Sequence, residues 1–252
     1  MTKNIGGILL RLRVKFNFDR LNLPIHYNHI LHATILNMIN NEEFRKFIHD
    51  RGYKFEKRVF KLYTFSRLIG RFEIDTEIKE INFFDNVYLY ISSYDDNFCY
   101  YIMEKLLTFE NIRMGKNILK VEKIETINFM PTDTLKVVTR SPVTVYSTYI
   151  DETGKKKTLF YHPDDFKFKE IVEKNIIKKY RALHNREPQG RIEVKHVGKS
   201  PKFVLVFYKG FKIKGWMTAF DLIGDPELVK IAYETGLGSK NSQGFGFIEQ
   251  IK

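Results

Sequence analysis

Cysteine is almost absent from this chain: Cys99 is the only one in 252 residues. That excludes an internal disulfide and any cysteine-cluster metal site, fits a reducing cytoplasm, and leaves the thiol as an expected core residue. Long apolar runs are also missing, and none approaches the ~20 residues needed to cross a bilayer. The opening MTKNIGGILLRLRV breaks into charge too early for a signal peptide, so export by that route is not expected. Acidic residues are in deficit, 30 Asp and Glu against 42 Lys and Arg, a formal net charge of +12. Such a balance attracts phosphate backbones or an anionic membrane surface, with nucleic acid the leading partner, although charge alone equally describes a solvated lysine-rich surface. The excess is uneven, +3 over residues 1–133 and +9 over residues 134–252, which assigns more of the backbone grip to the second half.

Two further patterns are lacking. No Gly-Lys-Ser/Thr tripeptide opens a helix and no dinucleotide fingerprint follows a strand, so nucleotide hydrolysis and dinucleotide chemistry are disfavoured. His26, His29 and His32 recur every third residue, but they lack a His-Glu-x-x-His arrangement, and their steps drift around a helix. No metal or cofactor is expected.

What is present is ample material for packed cores, 43% hydrophobic and 15% aromatic residues. From Gly7 to Phe18, the apolar Ile8, Leu10, Leu12, Val14 and Phe16 alternate with Leu9, Arg11, Arg13, Lys15 and Asn17, which predicts a half-buried strand with a basic outer face. After Pro24 the pattern is helical up to Asn40, and a short helix follows from Glu42 to His49. Phe60–Leu68 and Val87–Ser93 read as strands, Asn97–Phe109 as a helix and Lys116–Ile127 as a strand, with an extra hairpin near Gly70–Asp75.

The order β-α-β-β-α-β then recurs. Leu135–Tyr149 reads as a strand, Pro163–Leu183 as a helix, Arg191–Val197 and Phe203–Tyr208 as strands, Pro226–Thr235 as a helix and Phe245–Ile251 as a last strand. Asp225 and Pro226 cap and open the penultimate element and Gly236 ends it, so its bounds are the firmest. Asn128–Thr134 has turn composition. The expected fold is therefore α+β, two tandem ferredoxin-like (RRM-like) βαββαβ domains over residues 1–127 and 134–252.

The most specific stretch lies between the last helix and the last strand: Gly236, Leu237, Gly238, Ser239, Lys240, Asn241, Ser242, Gln243, Gly244, Phe245, Gly246. Four glycines let backbone N–H groups turn toward an anion and let a polynucleotide approach, while Lys240, Ser239 and Ser242 add donors. The bland alternative, a helix cap followed by a tight turn and bulge, accounts for Gly236 and one other glycine.

This loop resembles the signature of the CRISPR-associated repeat-cleaving endoribonucleases, the Cas six family of the RAMP superfamily. A second stretch resembles the same family: Phe44-Arg-Lys-Phe-Ile-His49-Asp-Arg-Gly52-Tyr53, then Phe60-Lys61-Leu-Tyr-Thr-Phe-Ser66. The resemblance implies tandem ferredoxin-like domains and a metal-independent endoribonuclease that cleaves CRISPR precursor transcripts within each repeat. His49 and Lys61 take the catalytic positions, and residues 236, 238–242 and 244–246 form the RNA-binding loop. Without the resemblance, His49 reads as a helix-end histidine and Lys61 as an ordinary strand lysine. The implied partner is repeat RNA, as precursor and mature guide; an interference complex and a homodimer are compatible with it, a membrane is not. Several members of the family carry a helix tyrosine at the position of Leu36, so that role is vacant here or filled elsewhere; His32, Asn37 and Tyr63 are the candidates for it, each read first as a structural residue. A non-catalytic RNA-binding subunit of an interference complex is the rival reading, because the superfamily includes such proteins.

Overall fold

Alternation of buried and exposed side chains along Arg11–Asn17 builds the first described strand, β1. Leu12, Val14 and Phe16 are fully buried, while Arg13 and Lys15 point the other way. The computed structural model describes residues 11–251, so the Gly7–Leu10 part of the predicted strand lies outside the described residues. The basic outer face is not free. Arg13 pairs with Glu125 at 3.3 Å and Lys15 with Glu122 at 2.5 Å, both acids on a neighbouring strand.

Beyond β1 come β2 (Leu21–Pro24), helix α1 (Asn28–Met38) and the short α2 (Glu42–Lys46), which Asn41 caps by accepting from the Phe44 N–H. A hairpin of β3 (Tyr53–Phe55) and β4 (Arg58–Phe60) precedes β5 (Tyr63–Phe65), β6 (Ile69–Asp75) and the long β7 (Glu80–Ser93). Then follow α3 (Asp96–Thr108), β8 (Asn111–Met114) and β9 (Asn117–Ile127). The strand expected over Phe60–Leu68 is thus broken. Leu62 takes a left-handed φ of 53°, so β4 pairs only with β3 while β5 joins the sheet on β7.

The first sheet runs β2-β7-β1-β9-β8, with β5 and β6 also paired to β7. Through β5, β7, β1 and β9 it holds the antiparallel order of a split βαβ unit. Cys99 is fully buried in its core, as the sequence suggests.

The second unit repeats the plan. It contains β10 (Thr134–Thr139), a β11 (Tyr146–Ile150) and β12 (Lys156–Phe160) hairpin, α4 (Phe166–His184), β13 (Ile192–His196), a β14 (Lys202–Tyr208) and β15 (Phe211–Met217) hairpin, β16 (Ala219–Gly224), α5 (Pro226–Thr235) and β17 (Ile248–Gln250). Its sheet order is β13-β16-β10-β17. The strand expected at Phe203–Tyr208 lies outside that sheet: it pairs with β15 in a separate ribbon, and Ala219–Gly224 takes its place. The predicted Leu135–Tyr149 strand likewise divides between β10 and β11. The bounds of α5 match the capping signals, with the Asp225 carboxylate accepting from the Glu227 N–H at 2.8 Å.

The two units meet along β1. The guanidinium of Arg11, 3% exposed, lies 3.7 Å from the Tyr233 ring centroid and 4.3 Å from that of Phe247. It donates to the carbonyls of Ile248 at 2.7 Å and Tyr233 at 2.5 Å. Among the described residues, no helix is long and apolar enough to cross a membrane.

Candidate functional site

His49 lies on a wide turn, Phe47–Arg51, that closes when the Gly52 N–H donates to the Phe47 carbonyl at 2.8 Å. Gly52 has φ +65°, and a Cβ there would stand 2.5 Å from the Phe60 carbonyl oxygen and 3.0 Å from Lys61 Cδ. The glycine three residues after His49 therefore serves two needs, a left-handed turn and room for the following hairpin to close on it. Gly52→Ala should cost about 1–3 kcal/mol of stability, read as a lower urea midpoint; an unchanged midpoint would show that the turn tolerates a side chain.

The Lys61 ammonium donates to the His49 carbonyl at 2.8 Å, tying the two segments together. Lys61 is half-buried, and burial lowers its pKa from the ordinary lysine value, with the Asp50 charge opposing. The His49 ring remains exposed, and its Nδ1 lies 2.6 Å from Asp50 Oδ1. A carboxylate only accepts, so Nδ1 carries the hydrogen, and among the described residues Nε2 makes no hydrogen bond. Bonding to His49 in turn holds the Asp50 carboxyl below its usual range. Asp50 carries no signal in the sequence beyond standing next to the histidine.

Lys61, Lys179, Ser239, Lys240, Asn241 and Ser242 line one cavity of about 520 Å³ at the junction of the two units. The histidine ring borders a neighbouring groove that Leu36, Asn37 and Asp50 also line. Lys61 and the tip of the glycine-rich loop are thereby brought together, with His49 attached through its main chain.

The glycine-rich loop divides into a buried frame and an open tip. Gly236, Gly238, Gly244, Gly246 and Phe245 are buried, whereas Ser239–Gln243 are partly accessible. All four glycines have positive φ, and a Cβ on Gly246 would lie 2.0 Å from the Leu237 carbonyl oxygen. Backbone bonds from Leu237 N–H to the Gly246 carbonyl at 2.9 Å and from Ser239 N–H to the Thr144 carbonyl at 2.8 Å use donors that glycine content alone suggests for an anion. Among the described residues nothing accepts from the N–H groups of Lys240, Asn241 and Ser242. Phe245 is fully buried against Val206, Tyr208 and Ile213, so it supports the loop from below rather than offering a ring to a base.

Both units hold this frame in place. Asn28 of α1 donates to the Gln243 and Gly244 carbonyls at 3.1 Å each, and the Thr64 hydroxyl donates to the Phe245 carbonyl at 3.0 Å. Lys179 of α4 is 2% exposed and donates to the Gly236 carbonyl at 2.7 Å, Asn241 Oδ1 at 2.9 Å and the Thr235 carbonyl at 3.3 Å. Burial brings its pKa down to about 7. In the sequence this lysine is indistinguishable from its solvated helix neighbours, such as Lys174, which pairs with Glu170. Of the candidates for the role vacant at Leu36, Tyr63 is buried and stacked on Phe98 at 4.4 Å. His32 is bonded to the Tyr208 hydroxyl at 2.7 Å, its pKa lowered to about 4 first by burial and then by the Lys209 and His49 charges. Asn37 is exposed.

With this geometry in view, the chain can be compared with known proteins. A family profile described as "CRISPR associated protein Cas6, C-terminal" matches residues 119–250, more than half of the chain. A curated relative from Methanocaldococcus jannaschii, named CRISPR-associated endoribonuclease Cas6 1, is 27% identical over 246 residues, covering 96% of this chain and 93% of its own length. A solved structure titled "CRISPR associated protein Cas6" superposes with a TM-score of 0.79 at 27% identity, covering 96% of this chain and 99% of that one. The product of a Cas6-related gene from Pyrococcus furiosus shares the fold, with a TM-score of 0.83 at 24% identity over 98% of this chain and 99% of its own. The profile match, together with tandem sheets of one topology, establishes that this chain belongs to the Cas6 family of CRISPR-associated proteins.

Proposed function

We propose that the protein is an endoribonuclease that binds CRISPR repeat RNA and cuts precursor transcripts within each repeat, without a metal ion. The observation that carries this reading is the Lys61 ammonium, which lines the cavity beneath the glycine-rich loop while bonded to the His49 carbonyl at 2.8 Å. The cation and the loop donors thus line one cavity at the junction of the two units, and the imidazole lies in a separate groove, joined to that cavity through the main-chain carbonyl of residue 49. In this scheme the loop tip grips the RNA backbone and the scissile linkage lies between His49 and Lys61. A ribose 2′-hydroxyl held in line attacks its own phosphorus, forming a P–O2′ bond and breaking the P–O5′ bond. The Nε2 of His49 transfers a proton in this displacement, Asp50 steadies the imidazolium through Nδ1, and Lys61 offsets charge on the phosphorane oxygens. The products are a 2′,3′-cyclic phosphate and a 5′-hydroxyl.

The test is incubation with repeat RNA in EDTA. Cleavage should persist, and a single 2′-deoxy substitution before the scissile bond should abolish it while substitutions elsewhere leave it intact. Cleavage that needs a divalent ion, or that survives this substitution, would refute the mechanism.

One observation favours a second reading. Leu36, where the resemblance anticipates a tyrosine, lines the groove beside His49 with a hydrocarbon surface. Tight RNA binding with no turnover would select a binding subunit instead.

A further inference from the structure

A second depression lies on the first unit, away from the glycine-rich loop. It has a volume of about 450 Å³ and lies between α1, the end of α3 and β8. Its lining is cationic: His29, Lys105 and Arg113 are in it, and no lining residue is acidic. Phe109, the residue that ends α3, is 45% exposed and contributes its aromatic side chain to the lining. The Lys105 ammonium rests 3.5 Å from the centroid of that ring. Asn37 and Asn111 add amides that can donate to or accept from a base edge. The volume falls within the range of small-ligand pockets, roughly 300–1,000 Å³.

Position gives the depression its meaning. Ala33 and Asn37, one turn apart on α1, line both this cavity and the groove that holds His49. Ala33 has only a methyl group, so the wall between the two depressions is low. The Phe109 ring lies in the lining of the cavity on the other side of these shared residues.

We infer that this cavity is a subsite for an unpaired nucleotide of the RNA strand flanking the scissile phosphate, with its base on Phe109 and its phosphate held by Lys105 and Arg113. The inference rests on the endoribonuclease reading above. In the free protein, Lys105 sits on the ring that the base would use. A cation–π contact at an exposed site is weaker than base–aromatic stacking, so the arriving base displaces the ammonium toward its own phosphate. The strand is then gripped on both sides of the reaction centre, by the loop tip and by this subsite.

The test uses the full chain with His49→Ala as a background, so that binding is measured without turnover. Repeat RNAs carrying one abasic position at a time are titrated against this protein with and without Phe109→Ala. One abasic position should weaken binding about tenfold with the ring present and have no further effect once the ring is gone. Arg113→Glu, at an exposed position, should weaken binding of all the RNAs and flatten its salt dependence, which keeps the test sound should Phe109→Ala unfold the chain. If every abasic position costs the same with or without Phe109, and Arg113→Glu changes nothing, the subsite is refuted while RNA binding stands; the same outcome would follow if the cavity received a peptide. If the parent chain neither binds nor cuts repeat RNA, the endoribonuclease reading itself fails.

Discussion

Replacing His49 by alanine should slow single-turnover cleavage of repeat RNA by about 10²–10⁴-fold, the usual contribution of acid–base assistance, and leave RNA affinity almost unchanged. The separation of the two effects follows from the geometry. The imidazole is exposed, and among the described residues its side-chain partner is the Asp50 carboxylate. The contact that ties the turn to the following hairpin uses the main-chain carbonyl of residue 49, which alanine retains. Lys61→Ala removes both the cation and this tie, so it should lower the rate and also disturb the turn. If the two side chains act on one phosphate as a unit, the double variant should cost far less than the product of the single effects. Equal cleavage by wild type and His49→Ala would move the chemistry elsewhere in the molecule.

The second large effect concerns pH. Burial holds the Lys179 pKa at about 7, whereas an unfolded chain has its lysines near 10.5. Between these values the unfolded state binds more protons than the native one, so this group makes stability rise with pH from 7 toward 10.5, by at most about 1.4 kcal/mol per unit. Below pH 7 both states carry the charge, and its burial is a fixed cost. Lys179→Met abolishes the slope. It also leaves the Thr235 and Gly236 carbonyls and Asn241 Oδ1 without their donor, a loss of about 1–3 kcal/mol for each group left unsatisfied. The variant should therefore lie closest to wild type in acid and fall behind increasingly as pH rises. Glu234, pushed up to about 8 by burial, contributes the opposite slope, its stabilisation being lost as pH rises through that value. Subtracting the variant's urea unfolding curve from that of wild type at each pH cancels it. A difference independent of pH from 6 to 10 would mean that the Lys179 pKa is not displaced by burial. RNA binding should weaken in the variant at every pH, because Asn241 at the loop tip has lost its support.

These residues also show where sequence reading succeeds and where it stops. The last helix could be bounded to the residue because Asp225, Pro226 and Gly236 act locally, each on its own turn of backbone. The doubled topology could be read because alternation and helical periodicity survive in most elements. Elsewhere tertiary pairing overrides pattern. Phe203–Tyr208 alternates convincingly, yet it turns back on β15, and the plainer segment Ala219–Gly224 enters the sheet. The break at Leu62 has no sequence mark, since the positive φ of this leucine is held by distant chain, its carbonyl accepting from the Tyr94 N–H at 3.1 Å and the Ser93 hydroxyl at 3.0 Å. At the site, His49 and Lys61 were reached through resemblance and not through any local property. The four glycines suggest donors turned toward an anion, whereas in the structure their freedom serves the packing of the loop on itself. Lys179 was invisible, since nothing in a lysine-rich helix tells which ammonium turns inward.

Arg11 sets how the molecule can accommodate a long, charged ligand. Its guanidinium sits in a sandwich of two aromatic rings from the other unit and holds two of that unit's carbonyls. Hinging the halves apart would strip a desolvated cation of all four partners at once, so the chassis is rigid at its base. Adjustment to a ligand then falls to the side chains at the rim, and the spacing between the glycine-rich loop tip and Lys61 is set within the protein itself, like the gauge of a ruler.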